Sequence, residues 1–76
     1  MFIVVSKNNC PWCNAAIEEL DHRGEEYEVW KINKLTSGMT LRTIMIAAGI
    51  TTVPQVFNHE GKHIGGYDEL VEYFKE

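Results

Sequence analysis

Two runs rich in β-branched and aromatic residues, Phe2–Val5 and Tyr27–Ile32, flank a stretch with the marks of a helix. Together they fill the length of one βαβ unit. This is the strongest constraint the chain places on its own fold. Strands joined through a helix run parallel, with a right-handed crossover. The helix signals between them agree. Cys10 stands at the cap position and Pro11 at the first helical position, where its missing N–H costs nothing. Ala16, Ile17 and Leu20 recur at the spacing of one helical face. Gly24 ends the segment, with His22 and Arg23 favourably placed in its last turn.

The second half has a different rhythm. Residues 33–38 are polar and turn-like. Thr40–Ala48 reads as a helix with Leu41, Ile44, Met45 and Ala48 on one face and Gly49 as its stop. Pro54 opens a short strand, Gln55–Phe57, a position where proline is tolerated. Asn58–Gly61 is a turn, and Lys62–Ile64 returns as a hairpin partner. Gly65 and Gly66 break that strand. Tyr67–Lys75 is a final helix, with Asp68 and Glu69 near its positive end and Leu70, Val71 and Phe74 facing inward. The order β-α-β-α-β-β-α predicts an α/β sandwich, a four-stranded mixed sheet flanked by three helices. With 76 residues the expectation is one domain, 1–76.

Composition removes several classes of function. Hydrophobic residues make up 45% and charged residues 24%, which is globular rather than disordered. No apolar run approaches the ~18 residues of a membrane span. Met1–Ser6 is apolar but lacks a basic leader and a cleavage site, so it does not read as a signal peptide and a cytoplasmic location is expected. The net charge of -4 disfavours nucleic acid or an anionic membrane as the main partner. No heptad or broad apolar face stands out, so a monomer is expected.

The chain has 2 cysteines, Cys10 and Cys13. A bridge between them closes a tiny loop and adds little stability by loop entropy. Redox or metal chemistry is the better reading of two such close thiols. At a helix N-terminus, free N–H groups and the dipole favour the Cys10 thiolate, with Lys7 a further positive charge nearby. Cys10 is then the nucleophile, and Cys13, one turn on, is placed to resolve a mixed disulfide. Pro11 stiffens the turn. Trp12 reads as an exposed aromatic wall beside the sulfur rather than a core residue, because the opposite helix face is already apolar. A zinc site drawing on His59 and His63 fails on spacing, since finger-type pairs stand about a dozen residues apart. Those histidines read as solvated hairpin residues. A c-type haem would need histidine directly after Cys13, where Asn14 stands.

With Cys10-Pro11-Trp12-Cys13 after a first strand, Thr52-Val53-Pro54-Gln55-Val56-Phe57, and His63-Ile64-Gly65-Gly66-Tyr67-Asp68-Glu69-Leu70, the chain resembles the glutaredoxins. Within them it is most similar to the small glutaredoxins of tailed bacteriophages, a likeness that Glu72-Tyr73-Phe74-Lys75 shares. The resemblance implies a thioredoxin fold, a cis Val53–Pro54 bond facing Cys10, and a Val53 backbone open to an extended peptide such as glutathione. It implies that Gly65 and Gly66 admit a ligand, and that the N–H groups of Tyr67 and Asp68 bind the γ-glutamyl carboxylate. Asp68 either meets the γ-glutamyl ammonium or is a plain helix-start carboxylate. Lys7 is the family's candidate for the glycyl carboxylate, and Thr52 flanks the groove. Arg42 reads as a surface charge before it reads as a groove residue.

Some positions depart from the family pattern. Trp12 stands where many members have tyrosine, and Tyr67 where cysteine or threonine follows the two glycines. Asn9 replaces the tryptophan that precedes the motif in thioredoxins. Pro11 counts against an iron–sulfur cluster. The activity implied is glutathione-dependent thiol–disulfide exchange, with glutathione as reducing co-substrate, no bound cofactor, and protein disulfides, ribonucleotide reductase among them, as acceptors. Two alternatives stay open: reduction by thioredoxin reductase instead of glutathione, and a non-catalytic module using the Val53 edge to pair with a partner strand.

Overall fold

The computed structural model describes residues 1–32, 43–50 and 52–75. Its strands are β1 (Phe2–Ser6), β2 (Tyr27–Lys31), β3 (Gln55–Phe57) and β4 (His63–Gly65). Its helices are α1 (Pro11–His22), the helical residues 43–47 (α2) and α3 (Tyr67–Phe74). The polar stretch 33–38, the expected helix start at Thr40 and Leu41, and Arg42 lie outside the described residues.

The sheet is mixed and four-stranded, in the order β2-β1-β3-β4. β1 and β2 are parallel, from Phe2 opposite Tyr27 to Ser6 opposite Lys31. β3 runs antiparallel to β1, with Val5 opposite Gln55, and β4 antiparallel to β3, with an irregularity between Val56 and Phe57.

The core follows from side-chain alternation along these strands. Phe2, Val4 and Val56 cluster with Ala16 and Leu20 of α1 and Leu70 of α3. Both helices thus bury their apolar stripes on one sheet face. Full burial of a side chain such as Leu20 or Leu70 stabilises the fold by about 1.5–3 kcal/mol. Ile17, Tyr27, Ile64, Tyr67 and Phe74 pack against this cluster.

One expectation about faces needs correction. Ile44, Met45 and Ala48 were expected to share one apolar face of their helix. Met45 is the buried residue there, while Ile44 is 60% exposed and Ala48 is exposed. One helical step turns ~100°, so a neighbour of the buried position already sits at the margin of the stripe. His59 and His63 are exposed, as expected, and their rings also touch aromatic neighbours. The His59 ring meets Phe2 edge-on at 4.5 Å, and His63 lies along Phe57 at 5.0 Å. An imidazole has apolar ring carbons as well as polar nitrogens, so an exposed ring can still pack on an aromatic neighbour.

The topology sets up one end of the sheet. β1 ends where the chain turns toward α1. The antiparallel β3 begins beside that end, so the segment before Gln55 faces the segment after Ser6. β4 returns to the same end, and α3 starts there.

Candidate functional site

Cys10 caps α1 in extended backbone geometry, at φ -121 and ψ 98. The Cys13 N–H donates to Cys10 Sγ at 3.3 Å. This is the N-cap hydrogen bond, with sulfur in the place that an oxygen usually fills. The two sulfurs form a disulfide, with the Cα atoms 5.2 Å apart. Cys10 is 7% exposed and Cys13 only 1%, so a reagent from solvent meets Cys10 first. Asn9 reaches the cap through a positive φ of 56, a conformation asparagine tolerates better than most residues.

The Val53 carbonyl oxygen lies 4.0 Å from Cys10 Sγ, across the gap between the two loops. The Val53–Pro54 bond is cis. Beside this pair runs an open groove of about 200 Å³, lined by Trp12, Thr52, Val53, Pro54, Gly66, Tyr67, Asp68 and Glu69. Trp12 is 62% exposed, and its ring packs on Tyr67 at 5.5 Å. A backbone carbonyl and two aromatic rings therefore stand together beside the more accessible sulfur.

Of the residues singled out from sequence, Trp12, Thr52, Val53, Pro54, Gly66, Tyr67 and Asp68 stand together on this groove. Lys7 is exposed in the loop between β1 and α1 and is not among the lining residues. Glu69 is a lining residue that sequence reasoning treated only as a helix-start charge. Its Oε1 accepts the Gly66 N–H at 2.7 Å. An acid three residues after a cap is the signal that would have found it. Gly65 adopts φ +126, and a Cβ there would stand 2.8 Å from Glu69 Cγ. Glycine is needed at that turn so that the Glu69 side chain can fold back over it.

Asp68 and Glu69 place negative charge in the first turn of α3, where the helix dipole favours it. Among the described residues, no group of three or more His, Cys, Asp or Glu side chains is arranged to hold a metal ion. No described helix is long and apolar enough to cross a membrane.

The four-stranded mixed sheet with helices on it, and a Cys-x-x-Cys pair at the start of the first helix facing a proline loop, define the thioredoxin fold. Comparison with known proteins narrows this. The glutaredoxin family model matches residues 2–64. Glutaredoxin-C8 of Oryza sativa subsp. japonica is 37% identical over 96% of this chain and 55% of its own length. Glutaredoxin 1 of Rickettsia prowazekii is 34% identical over 97% of this chain and 77% of its own. Hybrid peroxiredoxin hyPrx5 of Haemophilus influenzae is 38% identical over 93% of this chain, which spans just 28% of that protein. A buckwheat glutaredoxin–glutathione complex superposes with a TM-score of 0.83, at 31% identity, covering 97% of this chain and 67% of that one. The chain belongs to the glutaredoxin family.

Proposed function

We propose that the protein is a glutathione-dependent thiol–disulfide oxidoreductase. The observation that carries this reading is Cys10 Sγ, capped by the Cys13 N–H and set beside the Val53 carbonyl at the end of a peptide-sized groove. The capping N–H and the helix N-terminus stabilise negative charge on that sulfur. In the reduced protein the Cys10 thiolate attacks a disulfide. A Cys10–substrate disulfide forms, and the other half of the target leaves as a thiolate. Cys13 then attacks Cys10 Sγ and releases the reduced substrate, which leaves the Cys10–Cys13 bridge. A glutathione thiolate reopens that bridge at Cys10, and a second one removes the first as glutathione disulfide.

In this reading the glutathione backbone pairs with Val53, beside Thr52 and Pro54. The α3 N-terminus at Gly66, Tyr67 and Asp68 takes the γ-glutamyl end, and Trp12 walls the groove. Lys7, outside the groove lining, takes the glycyl carboxylate from the facing loop. A glutathione complex of a structural neighbour supports this choice of ligand. We further propose that the protein is a glutaredoxin of the small phage type. Residues 1–76 then act as one monomeric electron-transport domain in a cytoplasm, with ribonucleotide reductase among its acceptors.

The test is Cys13→Ser. It is expected to keep glutathione-coupled reduction of a glutathionylated thiol, which needs Cys10 alone, and to lose reduction of a protein disulfide by the two-cysteine route. Equal loss of both activities would contradict the assigned roles.

A further inference from the structure

Gln55 is the first residue of β3 and is 8% exposed. A primary amide in such a place must satisfy two donors and an acceptor within the protein. It does so across three elements. Its Nε2 donates to the Thr52 carbonyl at 3.0 Å and to Thr52 Oγ1 at 3.2 Å. Its Oε1 lies 2.6 Å from His63 Nε2 on β4. The chemistry fixes the directions. A carbonyl only accepts, so the NH2 group faces Thr52, and His63 must donate through an Nε2 proton to the remaining amide oxygen. The His63 ring is held in turn along Phe57, two residues on from Gln55 on the same strand.

The hydrogen bonds thus run from the hairpin to the residue next to Val53. Thr52 and Val53 both line the groove, and Val53 O is the backbone atom set beside Cys10 Sγ. Among the described residues, strand pairing with β1 begins at Gln55 and does not reach Thr52 or Val53. The Gln55 amide ties Thr52 to β3, and the His63 donor fixes which way that amide faces. We infer that Gln55, aimed by His63, is a positioning residue that holds the Thr52–Val53 backbone in register with Cys10 for an extended thiol peptide. The inference rests on the reading of this groove as the glutathione site.

The test compares Gln55→Glu, Gln55→Met and His63→Phe. Glutamate keeps the shape and the acceptor for His63, but turns a second acceptor on the Thr52 carbonyl. Methionine fills similar volume without polar atoms. Phenylalanine keeps a ring over Phe57 and removes the donor. Three measurements are made on each: KM for a glutathione mixed disulfide, alkylation of reduced Cys10 by iodoacetamide, and the backbone amide resonances of Thr52 and Val53. Alkylation needs the sulfur but not the groove.

For Gln55→Glu, KM is expected to rise about tenfold, the scale of one positioned hydrogen bond lost and an acceptor clash gained. Alkylation should stay within about twofold, because the sulfur and its cap are untouched. The Thr52 and Val53 resonances should move. Gln55→Met and His63→Phe should shift the same resonances, the latter less. An unchanged KM with unmoved resonances would overturn the inference. So would a parallel fall in KM-normalised turnover and alkylation, which would mark the amide as a support of the whole fold. Should Gln55→Glu fail to fold, the same criteria apply to Gln55→Met. If the wild-type protein does not turn over the mixed disulfide, the functional reading fails, and the resonances alone decide whether Gln55 holds the loop.

Discussion

Replacing Cys10 by serine and by alanine separates two things its side chain does. One is chemistry, which both substitutions remove. The other is capping: Sγ accepts the Cys13 N–H at 3.3 Å, and Cys13 is buried. Serine keeps an acceptor at this position and is among the preferred N-caps. Alanine leaves a buried N–H without a partner. Loss of an N-cap costs about 1 kcal/mol, within a range of about 0.5–2. In a domain of this size each kcal/mol moves the melting temperature by about 4–8 °C. Cys10→Ala is therefore expected to melt about 4–8 °C below Cys10→Ser. The assay is thermal unfolding followed by far-ultraviolet circular dichroism, with Cys13 kept as the free thiol in both variants. Equal melting temperatures would refute the reasoning. They would mean that the side chain at position 10 does not cap the helix, and the argument that the same N–H steadies a thiolate would fall with it.

Two further outcomes follow from geometry outside the sulfur pair. Gly65→Ala puts a Cβ 2.8 Å from Glu69 Cγ in a backbone of φ +126. It is expected to destabilise the fold by about 1–3 kcal/mol in urea titrations, and a loss within about 0.5 kcal/mol, as at an ordinary surface site, would contradict this. Tyr27 donates its hydroxyl to Asp21 Oδ1 at 2.9 Å. That hydrogen bond, then burial, then the Asp21 charge hold the phenol above its ordinary value of 10.0. The folded chain binds the phenolic proton more tightly than the unfolded chain does. The stabilisation is complete below pH 10.0 and is lost as pH rises through the folded value. Tyr27→Phe should flatten the fall of stability above that pH in equilibrium unfolding, and an unchanged slope would remove Tyr27 as its source.

The first half of the fold was legible because each signal in it is local. Pro11, the Ala16, Ile17 and Leu20 stripe and Gly24 mark a helix, and the structure has it at Pro11–His22, with Gly24 at φ +71. The strands at Phe2 and Tyr27 start where enrichment in β-branched and aromatic residues puts them. The short elements were read to within a residue. Lys62 falls outside β4, which begins at His63 and takes in Gly65. The order β2-β1-β3-β4 was not legible, because pairing between distant strands leaves no periodic trace along the chain. Ile44 was misplaced for a related reason. Spacing gives the angular position of a stripe, but contact with other elements decides where its edge falls.

The site divides in the same way. The Cys10–Cys13 spacing and the Gly65-Gly66 break are short-range patterns. The bond between Gln55 and His63 is a meeting of two strands, and neither residue type advertises it. Glu69 lies between these cases. Its cap-and-acid spacing was present in the sequence, but folding back over Gly65 depends on a backbone conformation that the spacing does not specify.

The most direct test of the central claim is turnover of a small glutathione mixed disulfide under two reducing systems. One reaction holds glutathione, glutathione reductase and NADPH. The other holds thioredoxin reductase and NADPH. The account predicts sustained NADPH oxidation with the glutathione system and none with thioredoxin reductase. Turnover with thioredoxin reductase alone would keep the Cys10 chemistry and discard the glutathione groove. No turnover in either would contradict the proposed activity.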